Sequence, residues 1–412
     1  MLLKIELENF YSIKDKVCID FTAANINTAM SKSLADNVID WNGTKILKTI
    51  GLFGPNASGK SSIIKAIRFC CSLILESNNH NAGAVFNFVP FKFDGCDKKP
   101  SRFLIDFVCE NVEYEYSFSL TRTEILEESL FYYPNDRRAK VFTRNENAKQ
   151  KYTFAEGIVN RPLDVAANVS RKNLFLSRAS SMNRMLFQKL YLYFLQTFLL
   201  GFLNLNDKVT EELFNEYKPV IMEALSICDS DISDIKIIRE KITMPMQNPF
   251  ALNMSNVIEH EITRFETTHK KSPEIPFDMQ TEESSGTIQL FGILLRLLDV
   301  VQNGKSIMLD EFDASLHTRL ADFVIDLVHA SRNAQMLFTS HNTNIIDVRR
   351  LRRDQIVFVS KKDDGSTETY SLYDYKDFRE NMDAEKGYIQ GRFDAVPFVD
   401  SSVGNLKKLM GQ

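Results

Sequence analysis

Gly54-Pro55-Asn56-Ala57-Ser58-Gly59-Lys60-Ser61 meets the pattern G-x-x-x-x-G-K-[ST] at every defined position. Its flanks have the matching character. Residues 46–53 (ILKTIGLF) read as one buried strand entering the loop, and residues 61–75 (SSIIKAIRFCCSLIL) as an amphipathic helix leaving it. Glycines let the main chain wrap a phosphate chain with its N–H groups, and the helix N-terminus adds a favourable dipole. Gly54, Pro55, Asn56, Ala57, Ser58, Gly59, Lys60, Ser61 and Ser62 are therefore candidate nucleotide-binding residues. Lys60 would sit on the β- and γ-phosphates and Ser61 on Mg²⁺. A Gly-rich turn can match by accident; strand, loop and helix in register select a nucleoside-triphosphate site instead, with ATP and Mg²⁺ as the expected ligands.

The rest of the chain must supply the groups that act on that ligand. Ser306-Ile307-Met308-Leu309-Asp310-Glu311 is an apolar strand ending in two carboxylates. Such a strand delivers them to the carboxyl edge of an α/β sheet, where ligands gather. Asp310 is the candidate Mg²⁺ ligand and Glu311 the candidate base for the attacking water. Acidic pairs also begin helices for reasons of dipole alone; the position after a buried strand, downstream of a phosphate loop, favours the catalytic reading. Glu283-Ser284-Ser285-Gly286-Thr287 opens the helix before that strand. Ser284 and Gly286 could bind phosphate at its N-terminus, or Ser284 could be an ordinary N-cap. His341, just past the next apolar strand at 335–339, could reach a γ-phosphate; a lone histidine at a strand end is more often structural.

Between these motifs, residues 1–30 read as two strands and 100–133 as an antiparallel meander. Residues 173–232 read as helical, and 233–280, polar and holding Pro245, Pro249, Pro273 and Pro276, as a linker. The division expected is 1–160 for the first half of the core, 161–280 for a helical insertion serving assembly or docking, and 281–412 for the second half. Strands alternating with helices around a phosphate loop predict an α/β fold with a mainly parallel sheet. No internal repeat or long heptad run is present.

With 412 residues, 44% hydrophobic content and net charge −4, the chain can build a large core and has no global positive field. Its six cysteines form no C-x-x-C pair, which suits a reducing, cytoplasmic setting. The apolar segment 185–205 is interrupted by Gln188, Lys189 and Gln196, so a buried or subunit-contact helix is expected rather than a membrane span. Arg349-Arg350-Leu351-Arg352-Arg353 is the densest basic run. DNA phosphates, an acidic partner or plain solvent each suit it, and no aromatic residue is interleaved to stack bases.

The order phosphate loop, Ser-x-Gly turn, Asp-Glu, histidine resembles the ABC-type ATPases of the SMC and RecF group. The resemblance implies a homodimer or higher homo-oligomer in which Ser284 and Gly286 of one subunit complete the phosphate site of the other. It implies Glu311 as base and His341 as switch histidine. Phe312-Asp313-Ala314-Ser315-Leu316-His317 falls where that group has its D-loop, with His317 in place of the usual aspartate. The opening Leu7-Glu8-Asn9-Phe10-Tyr11-Ser12-Ile13, the segment 310–317 and the tail with Leu351–Ile356 and Tyr388–Phe393 are similar to stand-alone ATPases of the RloA and AbiL kind, a group that includes the PARIS defence ATPase subunit. That resemblance implies a bacterial anti-phage role beside an effector such as a TOPRIM-like nuclease, with a phage protein as trigger. A DNA-maintenance ATPase is the alternative.

Overall fold

The computed structural model describes residues 1–200, 205, 207–228, 230–245, 257–379 and 381–396. Its centre is a six-stranded sheet in the order β11 (Phe198–Leu200), β15 (Ser306–Leu309), β16 (Gln335–Ser340), β5 (Thr49–Phe53), β17 (Ile356–Lys361), β18 (Thr367–Ser371). All neighbours are parallel except β17 and the edge strand β18. Strands β5, β15 and β16 are buried along their whole length, which is why their central residues are apolar. Helices α2 (Lys60–Glu76), α7 (Ser285–Asn303) and α8 (Thr318–Ala330) bury their apolar faces in the two cores.

A second sheet of seven strands runs β10 (Tyr152–Phe154), β9 (Ala139–Asn145), β8 (Ile125–Tyr132), β7 (Val112–Leu120), β6 (Ser101–Cys109), β1 (Leu2–Glu8), β2 (Val17–Asp20). It is antiparallel throughout. The expected meander is thus correct, with β9 and β10 added. Gln335 joins the two sheets. Its side chain accepts from Leu2 N–H at 2.6 Å and donates to Leu2 O at 2.9 Å and Leu47 O at 3.2 Å. On the far side, the buried Glu128 carboxylate accepts from Tyr116 Oη and from the N–H groups of Phe175 and Leu176, with Arg144 at 3.5 Å. This fixes helix α4 (Phe175–Ser181) to the sheet.

Four expectations need correction. The single strand over 46–53 is two: β4 (Thr44–Leu47) pairs with β3 (Val38–Trp41), and β5 joins the parallel sheet. The jog falls at Lys48, buried and donating to His329 O and Ser331 O. The segment 185–205 is a helix, α5 (Met185–Thr197), only until Thr197, where the chain extends to pair β11 with β15; residues 201–204 lie outside the described residues. The insertion 161–280 is not one helical lobe. Helices α3 (Pro162–Ala167), α4 and α5 bury their side chains in the core that holds the antiparallel sheet, whereas α6 (Lys208–Ile227) belongs to the other core. The supposed linker is a three-stranded sheet of β12 (Ile232–Pro245), β13 (Val257–His269) and β14 (Ser272–Asp278). Period-two alternation of β-branched and charged residues drives it, and Pro273 and Pro276 sit on its edge strand, where a missing N–H costs no ladder bond. Pro249 lies outside the described residues. Among the described residues α7 alone is long and apolar enough to cross a membrane, and ten of its residues are buried. Helices α1 (Ala29–Ser33) and α9 (Ala384–Ile389) are short flanking elements.

Candidate nucleotide site

Parallel strands deliver their carboxyl ends to one edge. The register pairs Leu309 with Phe338 and Ser340 with Phe53. Asp310 and Glu311, His341, and the phosphate loop therefore emerge side by side from β15, β16 and β5. They flank a cleft of about 730 Å³ lined by Asn56 to Ser62, Glu311 and His341 together with Tyr11, Phe91, Phe93 and Lys361. A site of this size suits a small organic ligand.

The loop is shaped by left-handed backbone at Ala57 (φ 62°) and Gly59 (φ 116°). A Cβ at Gly59 would stand 2.0 Å from Thr367 Oγ1, and one at Gly54 2.1 Å from Val359 O, so both glycines are required by close approach. Thr367 braces the loop by donating its hydroxyl proton to Ser58 O at 2.8 Å, and its Oγ1 stands 2.8 Å from Ser12 Oγ, which in turn is hydrogen-bonded to Ser62 Oγ at 2.9 Å. Neither Ser12 nor Thr367 was marked by the motifs as a site residue.

Lys60 is buried and donates to Gly54 O at 2.7 Å and Pro55 O at 3.1 Å. Burial pushes its ammonium down to about 8, against the pull of Glu311 and Asp310. Ser61 Oγ donates to Asp310 Oδ1 at 3.2 Å, and Thr339 Oγ1 donates to the same oxygen at 2.6 Å. Glu311 is exposed, has φ 48°, and its N–H donates to Thr339 Oγ1 at 2.7 Å. His341 Nε2 stands 3.7 Å from Glu311 Oε1; burial, then Lys60, lowers its pKa. The imidazole is thus held toward its neutral form, which keeps one ring N–H to donate. The hydroxyl of Ser61 and the carboxylate of Asp310 are hard oxygen donors, and a pair of them beside polyphosphate oxygens fits the way Mg²⁺ is usually bound.

The turn at 284–286 is not part of this cleft. Ser284 is the N-cap of α7, accepting from Thr287 N–H at 3.1 Å, and is exposed. Gly286 lies against the segment after Glu311, where an added Cβ would be 2.9 Å from Ser315 O. Gln289 donates to Phe312 O at 2.6 Å in the same contact. His317 N-caps α8, its Nδ1 accepting from Arg319 N–H at 3.3 Å. The basic run is largely engaged within the fold. Arg352 is buried on Asp354, Ser31 and Ala24; Arg350 pairs with Asp326 and Asp322; Arg353 donates to Phe378 O; Arg349 is exposed and paired with Asp347 at 2.9 Å. The reading of that run as a phosphate-binding patch finds no support in this arrangement.

A loop at a helix N-terminus with a buried lysine, backed by a hydroxyl and two carboxylates at a parallel-sheet edge, defines a P-loop ATPase domain. The chain belongs to the family described as "AAA domain, putative AbiEii toxin, Type IV TA system", which matches residues 50–347. No curated protein matches. Solved structures similar to it include an SmcHead bound to the C-winged helix domain of ScpA (15% identity, 90% of this chain and 97% of that one, TM-score 0.41). The SMC head domain from Thermotoga maritima is another (14%, 90% and 98%, 0.36). So is the Smc head domain with an extended coiled coil bound to the C-terminal domain of ScpA derived from Pyrococcus furiosus (14%, 90% and 97%, 0.39).

Proposed function

We propose that the chain binds and hydrolyses ATP in a homodimer and, by switching between clamped and open forms, controls a partner toxin or nuclease in bacterial anti-phage defence. The observation that carries the ATPase reading is the Ser61–Asp310–Thr339 cluster, which joins the phosphate loop to the carboxylates. Lys60 would neutralise the β- and γ-phosphates, and the N–H groups of residues 56–62 would hold them. Ser61 and Asp310 would hold Mg²⁺, which when bound would supply charge neutralisation to the phosphate oxygens. Glu311 takes the proton of the attacking water, and His341 donates to the γ-phosphate. The flat faces of Tyr11 and Phe93 would receive the base. Ser284, exposed, and Gly286, half-buried against Ser315, lie away from the cleft of their own subunit and would act on the nucleotide of the partner. The family description, with its toxin–antitoxin wording, supports the defence setting. Residues 161–280, now helices plus the β12–β14 sheet, are the proposed surface for the effector or a phage trigger, and the cytoplasm is the proposed compartment.

The test is phage plating on cells carrying the native operon, wild type beside Lys60→Ala, at matched protein level. Protection lost in the variant supports ATP-dependent defence. No protection from either across a broad phage panel overturns the defence role and turns attention to DNA maintenance.

A further inference from the structure

We infer that Thr339 is a positioning residue for hydrolysis, setting both the carboxylate that would face the metal and the backbone from which the base projects. The inference rests on the ATPase reading above. Strand β16 lies between β15 and β5, so a residue at its carboxyl end stands between the acidic pair and the phosphate loop. Thr339 occupies that place and is fully buried. Its hydroxyl donates to Asp310 Oδ1 at 2.6 Å and accepts from Glu311 N–H at 2.7 Å. A hydroxyl has one proton to give and two lone pairs; here the proton goes to one catalytic residue and a lone pair to the next.

The second bond matters because Glu311 has φ 48°, a left-handed conformation that is unfavourable for a residue with a Cβ. The N–H bond to Thr339 holds the chain there and so directs the Glu311 side chain toward His341, 3.7 Å away. The first bond, with Ser61 at 3.2 Å on the same oxygen, fixes Asp310 in rotation. A valine at 339 would keep the shape, remove both bonds and leave a backbone N–H without its partner. A serine would keep them.

The full-length wild type, Thr339→Val and Thr339→Ser are compared for ATP turnover, for Mg²⁺ dependence of binding to a fluorescent ATP analogue, for analogue affinity in EDTA, and for melting temperature. The valine variant is expected to lose about 10- to 100-fold in kcat and to need several-fold more Mg²⁺, the usual range for groups that orient metal ligands. Its metal-free analogue affinity is expected to stay within about twofold. Serine is expected to restore turnover to within about threefold of wild type. Turnover of the valine variant near wild type, a serine variant as impaired as valine, or metal-free affinity falling in step with kcat would overturn the inference. A wild type that binds the analogue but releases no phosphate would overturn the hydrolysis reading instead. The Mg²⁺ midpoint then decides Thr339 by itself: raised in the valine variant it upholds the inference, unchanged it overturns it.

Discussion

Two turns open helices with small and hydroxyl-bearing residues, and their surroundings differ completely. The turn at 54–61 is enclosed: carboxylates from the next-but-one strand, a brace from Thr367 and a buried lysine converge on it. In the turn at 284–286 the two serines are exposed and Ser284 spends its hydroxyl on its own helix. Local chemistry that is nearly the same therefore serves different ends according to what the sheet brings alongside. Under the proposed dimer, the first turn is most of a site and the second is the missing part of another copy's.

The comparison can be broken at its enclosed end first. Glu311→Gln is expected to cut phosphate release by about 10²- to 10⁴-fold, the range for a lost general base, and to leave an ATP-held dimer on size exclusion. Normal hydrolysis by this variant would remove Glu311 from the role of base.

A mixing experiment sharpens the contrast between the turns. Lys60→Ala and Ser284→Arg are each expected to be inactive alone. Mixed, they form heterodimers in which one site carries both lesions and the other neither, so ATP turnover should return to roughly a quarter of wild type on the basis of random pairing. Mixtures as inactive as their parents would mean that both turns act within one subunit.

A pH titration probes the enclosure itself. Lys60 is held at about 8 by burial, below its ordinary value. Bound phosphates require the charged form, so ATP-analogue affinity should be level below pH 8 and fall by up to about tenfold per unit above it. An analogue affinity unchanged between pH 8 and 9.5 would contradict the placement of Lys60 on the phosphates. The smallest effect is expected beside the open turn: His317→Ala should lower stability by about 0.5–1 kcal/mol through loss of the α8 cap, with turnover little changed. A large loss of turnover would give His317 a part in the chemistry.

Sequence carried the enclosed turn well because its information is local. A loop, its helix and a strand ending in Asp310-Glu311 each announce themselves within ten residues. Thr339, Ser12 and Thr367 were silent for the opposite reason: they act across strands brought together from distant parts of the chain, and nothing in FTSH or STET marks which hydroxyl faces a carboxylate. The β12–β14 sheet was hidden by composition, since charges alternating with isoleucines look like a linker until the period of two is counted across them. The break at Lys48 was hidden by its apolar flanks, and only the carbonyls of His329 and Ser331 explain why a lysine is buried there.

The strand order has a consequence for how the protein is made. Strand β5 lies between β16 and β17, both of which follow it by about 280 residues or more. During synthesis at about 5–20 residues per second, the apolar strand that leads into the phosphate loop leaves the ribosome on the order of 15–60 s before either neighbour exists. The β6–β9 meander, whose neighbours are consecutive, can pair as it emerges. The nascent chain must therefore carry TIGLF unpaired while the rest is translated, which makes it a natural client for a chaperone that shields short hydrophobic segments. A truncated product lacking the last third of the chain would be left permanently in that state.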